Sequence, residues 1–168
     1  ESLAIARTIG APGLEAEALY SRAELARMQK RFDLALENYK AAESVQARIG
    51  DPDRLWQLQF GRARAQEASG NVSAALASLE AAVKLIEGVR GRLQESRFRS
   101  GYVEDKFDVY LELMRLQLQL GRKADAFSTA ERLRARSFVE QLGGRASVPL
   151  SVSDRRAELE LRERVRRL

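Results

Sequence analysis

The sequence predicts an all-α protein, built as a solenoid in which antiparallel helix pairs stack side by side. Leucine, alanine, glutamate and arginine dominate the 168 residues, which include only 3 Pro and 11 Gly. That composition is typical of helical proteins, and the β-branched and aromatic runs that indicate strands are scarce. When the chain is shifted along itself by 40 residues, segment 30–42 aligns with segment 70–82. Such self-similarity is the signature of a helical repeat architecture.

Small residues mark the repeat. Ala35, Ala75 and Ala126 occupy one position of three successive copies. The second copy, GNVSAALASLEAAVKLI, begins at Gly70, and the third, GRKADAFSTAERL, begins at Gly121. Because one helix pair cannot bury its own apolar stripe, we expect its stability to depend on the neighbouring pairs.

The N-terminal part is predicted to contain the end of one pair and one complete pair. Residues 3–9 form the second helix of a truncated repeat, and the glycines and proline of 10–13 end it. Helices over 14–29 and 33–48 follow, joined by a tight turn at Lys30. Their inward-facing residues have helical spacing. These are Leu19, Ala23 and Ala26 in the first helix, and Ala35, Leu36, Tyr39, Ala42 and Val45 in the second.

The second pair is predicted to begin after a strong break. Asp51 suits the helix cap there, and Pro52 suits the first helical position. The first helix then covers 53–69. Ser73 is the expected cap of the returning helix, which we expect to continue to near residue 90 although two glycines lie close to its end.

The third pair is longer. Its first part covers 95–120, with a break near Ser100, and its returning helix covers 123–142 and is closed by Gly143 and Gly144. The first part carries an apolar stripe of widely spaced large residues. The stripe consists of Phe107, Tyr110, Leu111, Met114 and Leu118.

These elements divide the chain into helical repeats and a C-terminal extension. The repeats cover 1–144, as a truncated repeat at 1–10 and complete ones near 14–48, 53–90 and 95–142. The extension, 145–168, is predicted as a linker containing Pro149 and an amphipathic helix capped by Ser153. The apolar side of that helix consists of Ala157, Leu161, Val165 and Leu168.

The composition argues against most catalytic chemistry. The chain contains no cysteine and no histidine, so it has no thiolate, disulfide or imidazole. No glycine-rich phosphate loop or metal-spaced cluster is present in the sequence. We therefore predict neither an enzyme nor a metal or cofactor site. The lack of cysteine fits a reducing compartment and favours a cytoplasmic protein, and no apolar run approaches the roughly 20 residues of a membrane helix.

The repeats resemble tetratricopeptide repeats. The matching positions are the small residue at Ala23 and Ala63, the turn glycine at Gly70 and Gly121, the second-helix alanines at Ala35, Ala75, Ala126, Ala42 and Ala82, and the large residue at Tyr39 and Leu79. The chain departs from the family pattern in repeat length, with offsets of 40 and then 51 residues against about 34. It also has Arg22 and Arg62 where the family has leucine. The resemblance implies an α-α superhelix with long final repeats.

A second resemblance covers residues 76–142 and is most specific in AERLRARSFVEQL, 130–142. This stretch is similar to the last tetratricopeptide repeats before the protease domain of CHAT proteins, which are caspase-like peptidases. The catalytic pair of that family is a histidine and a cysteine, and this chain has neither. The resemblance therefore implies a regulatory or recognition module without peptidase activity, and it makes an adjacent protease domain one candidate partner.

The resemblance also implies a concave groove, lined by the first helices, that holds a protein or peptide partner. Carried over by position, the groove residues are Tyr20, Glu24, Arg27, Met28, Phe60, Arg64, Glu67, Arg115 and Gln119. The three arginines would form a basic strip suited to carboxylates. Each of them can equally be a solvated residue on an amphipathic helix.

Two other functions stay open on the sequence. Residues 131–168 contain ten Arg against six acids in a chain of net charge +5, which suits nucleic-acid phosphates. Glu158, Glu160 and Glu163 alternate with those arginines, however, and this pattern favours ion pairs along a helix over nucleic-acid binding. Self-association through the repeat ends, at 3–9 or 157–168, is the other alternative.

Overall fold

The computed structural model of this chain describes residues 2–51, 54–92 and 106–146. Within these ranges it contains seven helices and no strand, which confirms the predicted all-α class. In chain order the helices are α1 (Ser2–Thr8), α2 (Pro12–Met28), α3 (Phe32–Ile49), α4 (Leu55–Ala68), α5 (Val72–Arg92), α6 (Phe107–Gln119) and α7 (Lys123–Ala146).

Each helix packs mainly on its neighbours in the chain. The strongest contacts join α2 to α3, α4 to α5 and α6 to α7, and α3 and α5 link these pairs to the helix that follows each of them. Helices α2 and α4 also touch directly, and α1 packs on α2. One core surrounds Tyr39, and a second surrounds Leu79, Ile86 and Tyr110. Adjacent helices therefore share their buried faces, because none has a core of its own.

The turns lie where the sequence predicts them. Gly70 and Gly121 follow α4 and α6 with φ angles of 87° and 73°. In that left-handed region a side chain is strained, so glycine is the favoured residue at a helix end. Lys30 occupies the corresponding place after α2 and adopts a φ of 59° although it is not a glycine.

Two predicted helix boundaries are wrong. Asn71, not Ser73, caps α5, since the Asn71 side-chain oxygen accepts a hydrogen bond of 3.2 Å from the Ala74 N–H. Helix α7 continues through Gly143 and Gly144 to Ala146 instead of ending there. A glycine inside a helix costs only about 1 kcal/mol relative to alanine, so glycine alone does not stop a helix.

Helix α2 begins earlier than expected, at Pro12, so the predicted break at 10–13 is shorter in the structure. Proline fits there because the first helical N–H has no intrahelical partner. Helix α5 extends through its two glycines to Arg92, as predicted. The predicted cap at Asp51, with helix starting at 53, rests partly on residues 52–53, which lie outside the described residues. The break near Ser100 and the extension from Pro149 onward, including its Ser153 helix, also lie outside them.

The apolar stripe predicted for α6 is partly wrong. Tyr110 is fully buried, but Leu111 and Leu118 are 52% and 56% exposed. The buried face consists of Val109, Tyr110, Leu113, Leu116 and Gln117. Leucines occur on nearly every side of this helix, so periodicity alone did not identify the side that faces α5 and α7.

Helices α3 and α4 approach most closely where Tyr39 meets Gly61. A β-carbon added to Gly61 would lie 2.6 Å from both Cε1 and the hydroxyl oxygen of Tyr39. The Tyr39 side chain is fully buried, so it has little room to withdraw. Glycine in this helix interior therefore has a packing reason.

We predict that Gly61→Ala destabilises the protein although alanine is the better helix former. The overlap with the Tyr39 ring should lower the free energy of unfolding by about 1–3 kcal/mol, measured by urea denaturation followed by circular dichroism. Gly88→Ala is the matched control, because an added β-carbon there meets no atom of the described residues within 4 Å. The free energy of unfolding of the control variant should rise by up to about 1 kcal/mol relative to wild type. A similar effect of both substitutions would contradict the close approach.

Candidate functional site

A cleft of about 210 Å³ lies where α2, α4 and α6 meet. Aromatic and charged side chains from all three helices line it. The main ones are Tyr20, Glu24, Trp56, Phe60, Arg64 and Asp108. Four of the nine predicted groove residues, Tyr20, Glu24, Phe60 and Arg64, are thus brought together. The remaining five do not line this cleft: Arg27, Met28, Glu67, Arg115 and Gln119.

Glu24 is the centre of a hydrogen-bond network on the α2 side of the cleft. Arg27 Nη2 donates to its carboxylate over 2.6 Å, and the hydroxyl of Tyr39 donates to the other carboxylate oxygen. Burial raises the pKa of Glu24, but the hydrogen bonds from Arg27 and Tyr39 outweigh burial, so the pKa lies below its ordinary value. Glu24 therefore stays ionised and connects α2 to α3.

The same network protects the Tyr39 proton. Burial raises the pKa of Tyr39 far above its ordinary value, and the hydrogen bond to the negative charge of Glu24 raises it further. The ring of Tyr20 lies 6.3 Å from that of Tyr39, centroid to centroid, at the wall of the cleft. The cleft wall at Tyr20 therefore packs against the buried core that contains Tyr39.

Helices α4 and α6 are joined by two ion pairs. Arg115 Nη2 donates to both carboxylate oxygens of Glu67, over 2.6 and 2.8 Å. Arg64 Nε lies 3.6 Å from Glu112 Oε1. The Arg64 guanidinium also lies over the Phe60 ring, 5.6 Å from its centroid, which is within the range of a cation–π contact.

The three arginines of the predicted basic strip are paired with carboxylates in the structure, which the sequence pattern did not indicate. Arg27, Arg64 and Arg115 each form an ion pair with a glutamate of this chain. Met28 is exposed at the end of α2, and Gln119 accepts a hydrogen bond of 3.4 Å from Arg115. The three arginines therefore do not form a row of unpaired cations.

Asp108 adds a carboxylate to the α6 side of the cleft. Asp108 is exposed in the first turn of α6, and within the described residues it forms no hydrogen bond or ion pair. Burial raises the pKa of Glu112, and the negative charges of Glu67 and Asp108 add to the rise, while Arg64 and Arg115 oppose it. The α6 side of the cleft presents one carboxylate, that of Asp108, which no described residue pairs with, in a chain whose net charge is +5.

Sequence reasoning missed two acidic residues near this site, Asp108 and Glu112. Together with the predicted Arg115 they have helical spacing on one polar face of α6, so their periodicity was an available signal. Gly61 was visible as an isolated glycine in a helix, which usually has a packing or functional reason. Trp56 is buried and also lines the cleft.

The described residues contain no group of three or more Asp, Glu, His or Cys side chains that could hold a metal ion. Among the helices in the described ranges, none combines the length and apolar character needed to cross a membrane. Comparisons with protein-family models, curated proteins and solved structures found no match to this chain.

We predict that Tyr39→Phe lowers the free energy of unfolding near pH 7 by about 1–3 kcal/mol, because Glu24 loses a buried hydrogen bond. The contribution of Tyr39 is fully present below the unfolded tyrosine pKa of about 10. Above that pH only the unfolded state loses the proton, so wild-type stability falls by about 1.4 kcal/mol per pH unit until the raised folded pKa is reached. Phenylalanine has no proton to lose, so the stability of the Tyr39→Phe variant does not fall for this reason.

The measurement is urea denaturation of both proteins from pH 8 to 11. The stability difference between wild type and Tyr39→Phe should shrink above about pH 10. A difference that stays constant across this range would show that the Tyr39 proton is not retained in the folded state.

Proposed function

We propose that this chain is a non-catalytic scaffold for protein–protein interaction, which holds a segment of a partner protein in the cleft between α2, α4 and α6. The observation that carries the proposal is the convergence of three first helices on one cleft with aromatic walls and charged edges. Repeat proteins commonly bind partners on a surface that successive repeats build together. Aromatic anchors beside charged groups are typical of such interfaces.

We further propose that the helix pairs are of the tetratricopeptide type. Ala35, Ala75 and Ala126 are all buried, as equivalent positions of a repeat should be. Two equivalent hydrogen bonds add support. Ser78 donates to Gln66 over 2.7 Å between α5 and α4, and Thr129 donates to Gln117 over 3.1 Å between α7 and α6. Both members of the second bond lie 51 residues after those of the first.

In this proposal the module belongs to a cytoplasmic CHAT protein, where it precedes and regulates a caspase-like peptidase domain. The similarity of 130–142 to the last repeats before the protease domain of that family supports this placement. The chain would supply recognition only, since it contains neither the histidine nor the cysteine that such catalysis requires.

The test of the scaffold function is binding of peptides selected against the folded chain from a random displayed library. Phe60→Ala should weaken the affinity of a selected peptide about 10-fold or more, measured by fluorescence anisotropy, because an aromatic anchor is lost. Phe127→Ala is the matched control, since Phe127 is 67% exposed on α7 and does not line the cleft. Circular dichroism checks that both variants fold. Failure to enrich any peptide, or equal weakening by both variants, would count against the proposal.

Self-association is a second candidate, favoured by the apolar surface of α1. Ile5 and Ile9 are 54% and 62% exposed, four residues apart at the N-terminal end of the described stack. A second copy that covered them would remove apolar area from water.

We predict that, if this surface mediates dimerisation, replacing Ile5 and Ile9 with glutamate shifts the chain to monomer in multi-angle light scattering. The buried charges would oppose association. Ile49→Glu on α3 is the control at another exposed isoleucine and should leave the mass unchanged. A dimer that persists in the double variant would exclude this end of the stack as the interface.

A further inference from the structure

We infer that the partner segment places a basic side chain, lysine or arginine, in the cleft against Asp108. This inference rests on the proposed scaffold function and names the chemistry of the partner. It reverses the expectation from the sequence, where the arginines suggested a partner with carboxylates.

The first argument is that the guanidinium groups of the predicted groove are already paired with glutamates of this chain. Arg27 and Arg115 each contact both oxygens of a glutamate carboxylate. Arg64 is the arginine that lines the cleft, and Glu112 stands 3.6 Å from it. A carboxylate brought to Arg64 would have to approach Glu112 and Asp108, and like charges at such short range repel.

The second argument is that one carboxylate has no partner. Asp108 forms no ion pair or hydrogen bond with the rest of the described chain, although it lines the cleft. It lies exposed in the first turn of α6. A basic side chain in the cleft would supply the missing counter-charge.

The third argument is independent of the acids and concerns the rings. The faces of two cleft aromatics already hold cations of this chain, with Arg64 over Phe60 at 5.6 Å and Lys106 over Trp56 at 5.2 Å. Aromatic walls of this kind stabilise positive charge and pack against the apolar stem of lysine or arginine. They offer no comparable stabilisation to a carboxylate.

The experiment uses three pools of labelled random peptides with blocked ends, which differ only in a fixed central lysine, glutamine or glutamate. Binding to the full chain is measured by fluorescence anisotropy. The lysine pool should bind at least about 10-fold more tightly than the glutamate pool, with glutamine between them. This preference should shrink as salt is raised, because the cleft is partly open to solvent.

Asp108→Asn should remove most of the preference for lysine. Asp125→Asn is the control, because Asp125 lies on α7 outside the cleft and is paired with Arg122. A glutamate pool that binds as well as the lysine pool, or a preference unchanged in Asp108→Asn, would overturn the inference and leave the scaffold function standing. Absence of binding by every pool would instead count against the scaffold function itself.

Discussion

The contact between Tyr39 and Gly61 is the constraint on which the rest of the described structure depends. The Tyr39 ring occupies the space that a side chain at position 61 would fill. The Tyr39 hydroxyl donates a hydrogen bond to the carboxylate of Glu24. One residue of α3 therefore sets how closely α4 approaches and where α2 lies. Since Glu24 and Gly61 both line the cleft, the packing that stabilises the stack also forms the floor of the candidate binding site.

Ion pairs between distant parts of the chain give this surface its electrical character. Glu67 and Arg115 are far apart in sequence, yet they join α4 to α6. Such pairs contribute little to stability when exposed, but they neutralise charges that would otherwise attract ligands. A chain with a net charge of +5 consequently presents a cleft in which the carboxylate of Asp108 has no ion-pair partner among the described residues.

The helices, the glycine turns and the buried alanines could be predicted because each depends on nearby residues. Gly70 and Ala75 show this, since turn chemistry and a small residue at helical spacing are local signals. The exposed side of α6 and the partners of Arg64 and Arg115 could not be predicted the same way. Both depend on which helices pack together. Leucines occur on several sides of α6, so several faces could have been the buried one, and glutamates throughout the chain could have paired with either arginine.

The length of α7 has a geometric consequence. At a rise of 1.5 Å per residue, its 24 residues span roughly 36 Å, while the 13 residues of α6 span roughly 20 Å. Since the short turn at Gly121 makes the two helices antiparallel, α7 extends roughly 16 Å past the first turn of α6. The C-terminal turns of α7 thus lie beyond the start of α6, on the side where Asp108 lies, and α6 itself cannot cover them.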